Sequence, residues 1–301
     1  MISLGILDFD SSHCVEFTRR LNHAGVTSDQ FVEGARVVAG CPGVSAMAPE
    51  RTERFLPEVA ACGVAIVDRE EVFQKADAIL VLSLCGGAHR EPALASIASG
   101  RPTFVDKPFA LTVPDVQAVL DAAEHAKVPL LYASAMRYCD ELLAVPGRLD
   151  RWGTVNGAVC HGPAKRHPDN PGLFHYGIHT VEILFSLLGP GCTSVVATAS
   201  GNGEVVTGRW SDGRLGTVRG LRSGSTAYGA TLFCENGVVP LALSTTNSYR
   251  NLLRAVVAGF QSGIPLVPRQ VILEETAFVL AALESERRGG VPVELSTFLT
   301  A

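Results

Sequence analysis

Two short segments concentrate the side chains of this 301-residue sequence that could do chemistry. The first is Val105-Asp-Lys-Pro-Phe-Ala-Leu-Thr112, where Lys107 and Pro108 sit just past the predicted strand Pro102–Val105. An ammonium group there can hydrogen-bond a substrate hydroxyl and stabilise negative charge on its oxygen as a hydride leaves the carbon. The plain alternative is a solvated lysine ahead of a loop. The second is Phe174-His-Tyr-Gly-Ile-His-Thr-Val-Glu-Ile-Leu-Phe-Ser-Leu-Leu-Gly189, with His175, His179 and Glu182 at i, i+4 and i+7. That spacing puts all three on one face of a predicted helix over about 175–188. Ile178, Val181, Phe185 and Leu188 form the neighbouring apolar face, which must pack on a core. Two imidazoles and a carboxylate beside a buried face are costly unless they serve a site or find partners. A histidine near neutral pKa can take a hydroxyl proton, as oxidation of a carbinol requires. Two alternatives stay open: satisfied polar groups at a domain interface, and a three-ligand metal set. No His-Glu-x-x-His is present and no further ligand is evident from spacing, so no metal is expected.

The elements that must position these residues fall into two textures. Up to about residue 135, short apolar strands alternate with helical patterns. Strands are predicted at Ile2–Leu7, Ala35–Ala39, 63–67, Ala78–Ser83, 102–105 and 128–132. Helices are predicted near 12–22, 91–99 and 114–126. This alternation implies a parallel sheet covered on both faces, with ligands beyond the carboxyl ends of its strands. From about Thr154 the pattern becomes strand after strand: 154–161, then 194–199, 204–210, 214–222, 226–234 and 238–243. Gly-containing turns such as Gly201-Asn-Gly203 and Glu235-Asn-Gly237 separate the later ones, which argues for an antiparallel sheet. Helices over 248–262 and 270–288 close the chain. The expected architecture is a Rossmann-type domain over 1–135, then an α+β domain over 136–301 with a mostly antiparallel open sheet.

Composition narrows the function classes. Hydrophobic residues make up 47% and charged residues 18%, enough to build cores and not a disordered composition. The formal charge of -5, with no basic stripe, argues against a nucleic-acid partner. The eight cysteines show no C-x-x-C spacing and read as free thiols of a cytoplasmic protein. The opening residues show no secretory signal, and no apolar run of about 18 residues suggests a membrane span. The open second sheet would expose a broad face, so a homodimer or homotetramer is expected.

Asp106-Lys107-Pro108 with Ala110-Leu111-Thr112 resembles the Glu-Lys-Pro-x-Ala-x-Thr signature of the Gfo/Idh/MocA oxidoreductases. His175-x-Gly177-x-His179-x-x-Glu182 resembles that family's Asp-x-Gly-x-His-x-x-Asp signature. Ala78–Ser83 with His89 is similar to its fourth-strand segment, and Ala133–Tyr138 to the exit from its nucleotide domain. The resemblance implies an NAD(P)-dependent oxidoreductase acting on a sugar, cyclitol or related polyol. It makes Lys107 the catalytic lysine and His179 the acid/base, with His175 standing where the family has aspartate. A non-redox lyase, epimerase or hydrolase on the same scaffold, or a binding protein without catalysis, stays as the alternative.

The N-terminal turn departs most from the family. Gly-x-Gly-x-x-Gly is replaced by Gly5-Ile-Leu-Asp-Phe-Asp-Ser-Ser-His13, with Gly5 at the first glycine position or in the strand before it. Asp10, Ser11 and Ser12 can cap the next helix, and its amides with His13 could still receive phosphate. The second strand ends without the carboxylate that often holds the ribose, which leaves Ser45 or backbone groups for that task. Arg51 or Arg54 would tilt the choice toward NADP, although both read more simply as a solvated helix face. Gly5, Asp10, Ser11, Ser12, His13, Ser45, Ser83, His89 and Lys107 are the expected cofactor contacts. Arg137, His161, Arg166 and Glu182 are the expected substrate contacts, with 161–170 read as a basic loop alongside Tyr138, Lys165 and His167.

Overall fold

A computed structural model describes residues 1–300. The chain forms two compact units. One comprises Met1–Ala110, Asp115–Ala133 and Tyr249–Val267, and the other Leu111–Pro114, Ser134–Ser248 and the chain from Pro268 onward.

The first unit is built on a sheet of β1 (Ile2–Leu7), β2 (Ala35–Cys41), β3 (Ala65–Ile66), β4 (Ala78–Val81), β5 (Thr103–Val105) and β6 (Leu130–Tyr132). All pairings are parallel, in the order β3-β2-β1-β4-β5-β6. Uninterrupted apolar runs make such strands because both faces are covered, and all four residues of β4 are buried. The helices are α1 (His13–Leu21), α2 (Pro49–Ala60), α3 (Arg69–Lys75), α4 (Arg90–Ala98) and α5 (Val113–Ala126). Pro49 pre-sets the first turn of α2, and the Asp68 carboxylate caps α3 by accepting from the Glu71 amide at 2.9 Å. Strand order reverses between β1 and β4, which opens the crevice where this architecture takes ligands.

The second unit is a seven-stranded sheet of β7 (Val155–Pro163), β8 (Cys192–Ser200), β9 (Gly203–Trp210), β10 (Leu215–Leu221), β11 (Tyr228–Cys234), β12 (Gly237–Leu243) and β13 (Val293–Glu294). Its helices are α6 (Asp140–Leu143), α7 (Leu149–Trp152), α8 (Ile178–Leu188), α10 (Arg269–Arg287) and α11 (Ser296–Leu299). Between α8 and α10 in sequence lies α9 (Ser248–Ser262), which belongs to the first unit from Tyr249 on. The hairpins β8–β9, β9–β10 and β11–β12 are antiparallel, as the glycine turns imply. However, β7 lies between β10 and β11 and runs parallel to β10, so the sheet is mixed. The Ser223-Gly-Ser225 segment therefore carries the chain past β7 and does not close a tight hairpin. One sheet face packs on α8 and α10. The other leaves Val196, Val205, Leu215, Phe233 and Val238 exposed.

Two predicted elements are corrected. Helix α8 starts at Ile178, because Pro171 and Gly172 (φ 56°) set up a tight 3-10 turn over Gly172–Phe174 and Gly177 serves as N-cap. His175 therefore precedes the helix and does not share a helical face with His179 and Glu182. His161 lies within β7, held by ladders to β10 and β11, and not in the loop that follows. No helix among the described residues is long and apolar enough to cross a membrane.

Candidate functional site

At the end of β1 the backbone turns at Asp8 with φ 68°, the left-handed conformation that favours glycine and that aspartate tolerates better than most residues. Counting from this turn, the first, third and sixth positions of the glycine pattern are Asp8, Asp10 and His13. Gly5 lies three residues earlier, inside β1. A Cβ there would collide with Val72 of α3 and come within 2.9 Å of Ile79, so this glycine serves strand–helix packing. The carboxylate of Asp8 accepts from Ser83 Oγ just past β4. Burial pushes this carboxyl above its usual range, and the Ser83 hydrogen bond only partly opposes that. Asp10 is buried and joins two neighbouring loops, accepting from Ser45 Oγ at 2.6 Å and from the Leu84 amide at 2.8 Å. Ser45 Oγ in turn accepts from the Ala48 amide at 3.0 Å.

Helix α1 starts on Ser12, whose side chain makes no cap; Ser11 Oγ instead accepts from the His13 amide at 3.3 Å. The His13 ring is buried, stacked on Phe17 and edge-on to Tyr249. Its Nδ1 lies 2.6 Å from Asp106 Oδ2, so it faces the Lys107 loop and not open space. Burial alone would raise the Asp106 carboxyl, but His13 and Lys107 beside it and the hydrogen bonds it accepts hold it far below its usual range.

Lys107 follows at the exit of β5, linked to Pro108 by a cis peptide and 7% exposed. Its ammonium has no hydrogen-bond or ion-pair partner among the described residues. The Asp106 carboxylate offsets its charge, but buried N–H donors left without acceptors are costly, which makes the amine a group held ready for a ligand. His89 braces this loop: one ring nitrogen lies 2.8 Å from the Pro108 carbonyl oxygen and the other 2.8 Å from that of Ser83. The ring thus ties the exit of β4 to the lysine loop.

In the second unit, His179 sits in the first turn of α8 with Nδ1 2.7 Å from Ser134 Oγ. Ser134 is fully buried and its Oγ also accepts from the Met136 amide at 3.1 Å. A second lone pair on that oxygen can take the His179 Nδ1 proton, which leaves Nε2 with the lone pair a base needs. His175 lies against Tyr176, with ring centroids 4.8 Å apart, and beside His167. His179 faces Tyr176 and the edge of Tyr228, so these rings form one row.

The expected substrate contacts are placed differently. Glu182 and Arg137 are ion-paired to each other, and Arg137 also holds Glu275 of α10. Both carboxylates are buried, and the guanidinium meets them through two of its nitrogens. Burial and the adjacent Glu182 charge push the Glu275 carboxyl well above its usual range, against the pull of Arg137. Arg166 is likewise engaged, with buried Glu204 at 2.7 Å and with Glu286. His161 lies on the sheet face opposite Gly162, and it is Gly162 that faces Thr180 of α8. Sequence reasoning missed Ser134, Asp106 and Glu275 as partners. Asp106 and Ser134 lie inside segments quoted for the family resemblance, but nothing local marked their partners, and nothing local marked Glu275.

A nicotinamide dinucleotide can be tested against this turn. The amides of Asp10, Ser11 and Ser12 at the start of α1 have no hydrogen-bond partner among the described residues. Beyond the ends of β1 and β2 lies a cavity of about 390 Å³ that includes Leu7, Asp8, Cys41 and Gly43 in its lining. Free amides and a cavity on the switch-point edge fit a dinucleotide. The carboxylates at the first and third glycine positions change how it would be met. The eight cysteines are free, and burial pushes the Cys139 and Cys192 thiols up to about 12, so neither is a ready nucleophile.

Residues 34–134 match the family model described as "GFO_IDH_MocA: Oxidoreductase family, NAD-binding Rossmann fold". The chain is 32% identical over 145 residues to inositol 2-dehydrogenase of Klebsiella pneumoniae subsp. pneumoniae, which covers 46% of this chain and 38% of that protein. It is 27% identical over 203 residues to inositol 2-dehydrogenase of Mycolicibacterium gilvum, covering 64% of this chain and 53% of that protein. The matches thus span about half or less of these curated relatives. In fold, the chain is similar to scyllo-inositol dehydrogenase from Lactobacillus casei with bound NAD(H) and scyllo-inositol. The TM-score is 0.81 at 13% identity, over 98% of this chain and 99% of that one. For myo-inositol 2-dehydrogenase from Lactobacillus plantarum the TM-score is 0.80 at 14% identity, over 97% and 99%.

Proposed function

We propose that this chain, whose residues 34–134 match the Gfo/Idh/MocA oxidoreductase model, is an NAD(P)-dependent oxidoreductase of that family acting on a CH–OH group of a cyclitol, sugar or related polyol. The observation that carries this is Lys107: a buried ammonium with no hydrogen-bond acceptor among the described residues, at the exit of β5 in a Rossmann sheet whose strand order reverses beside it. A bound nicotinamide would supply the hydride acceptor needed to oxidise the carbinol carbon to a ketone. Lys107 donates a hydrogen bond to the carbinol oxygen and stabilises the negative charge that builds there. His179 Nε2 takes the hydroxyl proton while Ser134 holds Nδ1, and in reduction the same groups work in reverse. Ser134 is a positioning residue in this scheme. The row of Tyr176, His175 and Tyr228 beside His179 offers flat faces and donors to a hydroxylated ring.

The similarity to inositol dehydrogenases makes inositol stereoisomers the first substrates to assay. Wild type should reduce NAD or NADP with at least one of them, and Lys107→Ala should retain nucleotide binding while losing turnover. Full turnover in that variant would remove the lysine from the mechanism. A non-redox lyase, epimerase or hydrolase is the second reading, favoured by Asp8, Asp10 and His13 at the glycine positions. It would show itself as product formed without added nucleotide by a protein that retains none.

A further inference from the structure

We propose that Asp8 holds the adenosine ribose of the dinucleotide and makes this chain prefer NAD(H) to NADP(H). This rests on the reading that the chain binds a nicotinamide dinucleotide. In such sheets a carboxylate at the end of β2 usually takes the ribose hydroxyls. Here β2 runs out in Cys41-Pro42-Gly43-Val44 and supplies none. The cavity of about 390 Å³ beyond β1 and β2 nonetheless contains a carboxylate, delivered from β1 by the left-handed turn at Asp8. One oxygen of Asp8 accepts from Ser83. The other, Oδ1, lies against Gly43, where any side chain would collide with it, and has no hydrogen-bond partner among the described residues. The bare backbone of Gly43 thus leaves room for Oδ1 at the wall of the cavity that Asp8 lines. A ribose with free 2′ and 3′ hydroxyls offers two donors, and a carboxylate can accept both.

The same wall rejects a 2′-phosphate. Asp8 and Glu91 both line the cavity, and Arg69 is the one cation in its lining. The guanidinium of Arg69 is already taken by Glu91, through hydrogen bonds of 2.6 and 2.8 Å to its two oxygens. A phosphate would have to break that pair and face two carboxylates. Arg51 and Arg54, the sequence candidates for a 2′-phosphate, are not in the lining and stand over the Phe55 ring.

The test is a fluorescence titration of purified full-length protein with NADH and with NADPH. It compares wild type, Asp8→Asn and Glu91→Gln. Asparagine tolerates the left-handed turn and can still accept from Ser83, so the first variant keeps the local fold. Wild type should bind NADH at least about tenfold more tightly than NADPH, as expected for a hydrogen bond to a charged group. Asp8→Asn should lose about tenfold in NADH affinity and narrow the gap, and Glu91→Gln should release Arg69 and strengthen NADPH. If wild type binds both nucleotides equally, or Asp8→Asn leaves both affinities unchanged, the assignment of Asp8 is overturned while dinucleotide binding stands. If wild type binds neither, the dinucleotide reading itself fails and this one with it.

Discussion

Replacing Glu275 with glutamine should flatten the pH dependence of stability without damaging the fold. Two fully buried carboxylates, Glu182 and Glu275, share the guanidinium of Arg137, so the cluster carries one negative charge too many if both are ionised. Glu182 Oε1 and Glu275 Oε2 are buried without hydrogen-bond partners. The favoured solution is a proton on one carboxyl, and burial together with the Glu182 charge raises Glu275 well above its ordinary value. The unfolded chain releases that proton near the ordinary glutamate value. Above that value the folded state therefore binds one proton more than the unfolded state, so stability falls as pH rises. The contribution is fully present below the unfolded pKa and is lost by the time pH has passed the folded one. One linked proton corresponds to about 1.4 kcal/mol per pH unit across that window. Glutamine copies the shape and neutrality of the protonated acid and can still accept from Arg137. Urea unfolding of wild type and Glu275→Gln, repeated between about pH 5 and 8, should give similar stabilities at the acid end. The variant should then gain steadily on wild type as pH rises. Parallel curves would show that Glu275 carries no linked proton and that this account of the cluster is wrong.

Two further outcomes are expected. Ser134→Ala should lower kcat about tenfold or more, with little change in KM, because His179, the proposed base, would be held only by packing and lose its alignment. It should also shift the acidic limb of the kcat pH profile, and an unchanged profile would reduce Ser134 to a packing role. The uncovered face of the second sheet, with Leu215 52% and Val238 62% exposed, is an apolar surface that a second copy of the chain would cover. Light scattering should report a dimer or larger at micromolar concentration, and Leu215→Lys should shift it toward monomer. A monomeric wild type would refute that use of the face.

The parts legible in the sequence are those fixed by local burial. The strands β1, β2, β4, β5 and β6 are short apolar runs between turn signals, and each formed close to its expected place. The stripe Ile178, Val181, Phe185 and Leu188 is buried as its spacing requires. The insertion of β7 between β10 and β11 was not legible, because strand order depends on long-range pairing that no single strand encodes. His13 meets Asp106 across 93 positions and Arg137 meets Glu275 across 138, so neither pair leaves a local trace. The fate of Arg137, Arg166 and Glu182 shows the bias that follows. Polar residues near a motif read as ligand contacts, whereas the fold satisfies their charges against one another. Some signals were present but unread, including Pro49 opening α2 and Asp68 capping α3.

The acidic turn makes physical sense only as a unit. A glycine-rich turn works by leaving backbone bare, so that amides can approach phosphate closely. Here the three positions carry side chains, and each is tied to a different neighbour: Asp8 to Ser83, Asp10 to Ser45 and the Leu84 amide, His13 to Asp106. The turn is therefore fastened to the ends of β2, β4 and β5 by hydrogen bonds. The last of these fastenings ends one residue before Lys107, and His89 holds the other side of the same loop. A ligand that displaces Asp8 or Asp10 must release one of these ties, whereas one that hydrogen-bonds to them leaves all of them in place. Hydroxyl groups meet that condition, so the two carboxylates are suited to grip the sugar portion of a nucleotide or polyol, while the unbonded amides of Asp10, Ser11 and Ser12 are what the turn offers to phosphate.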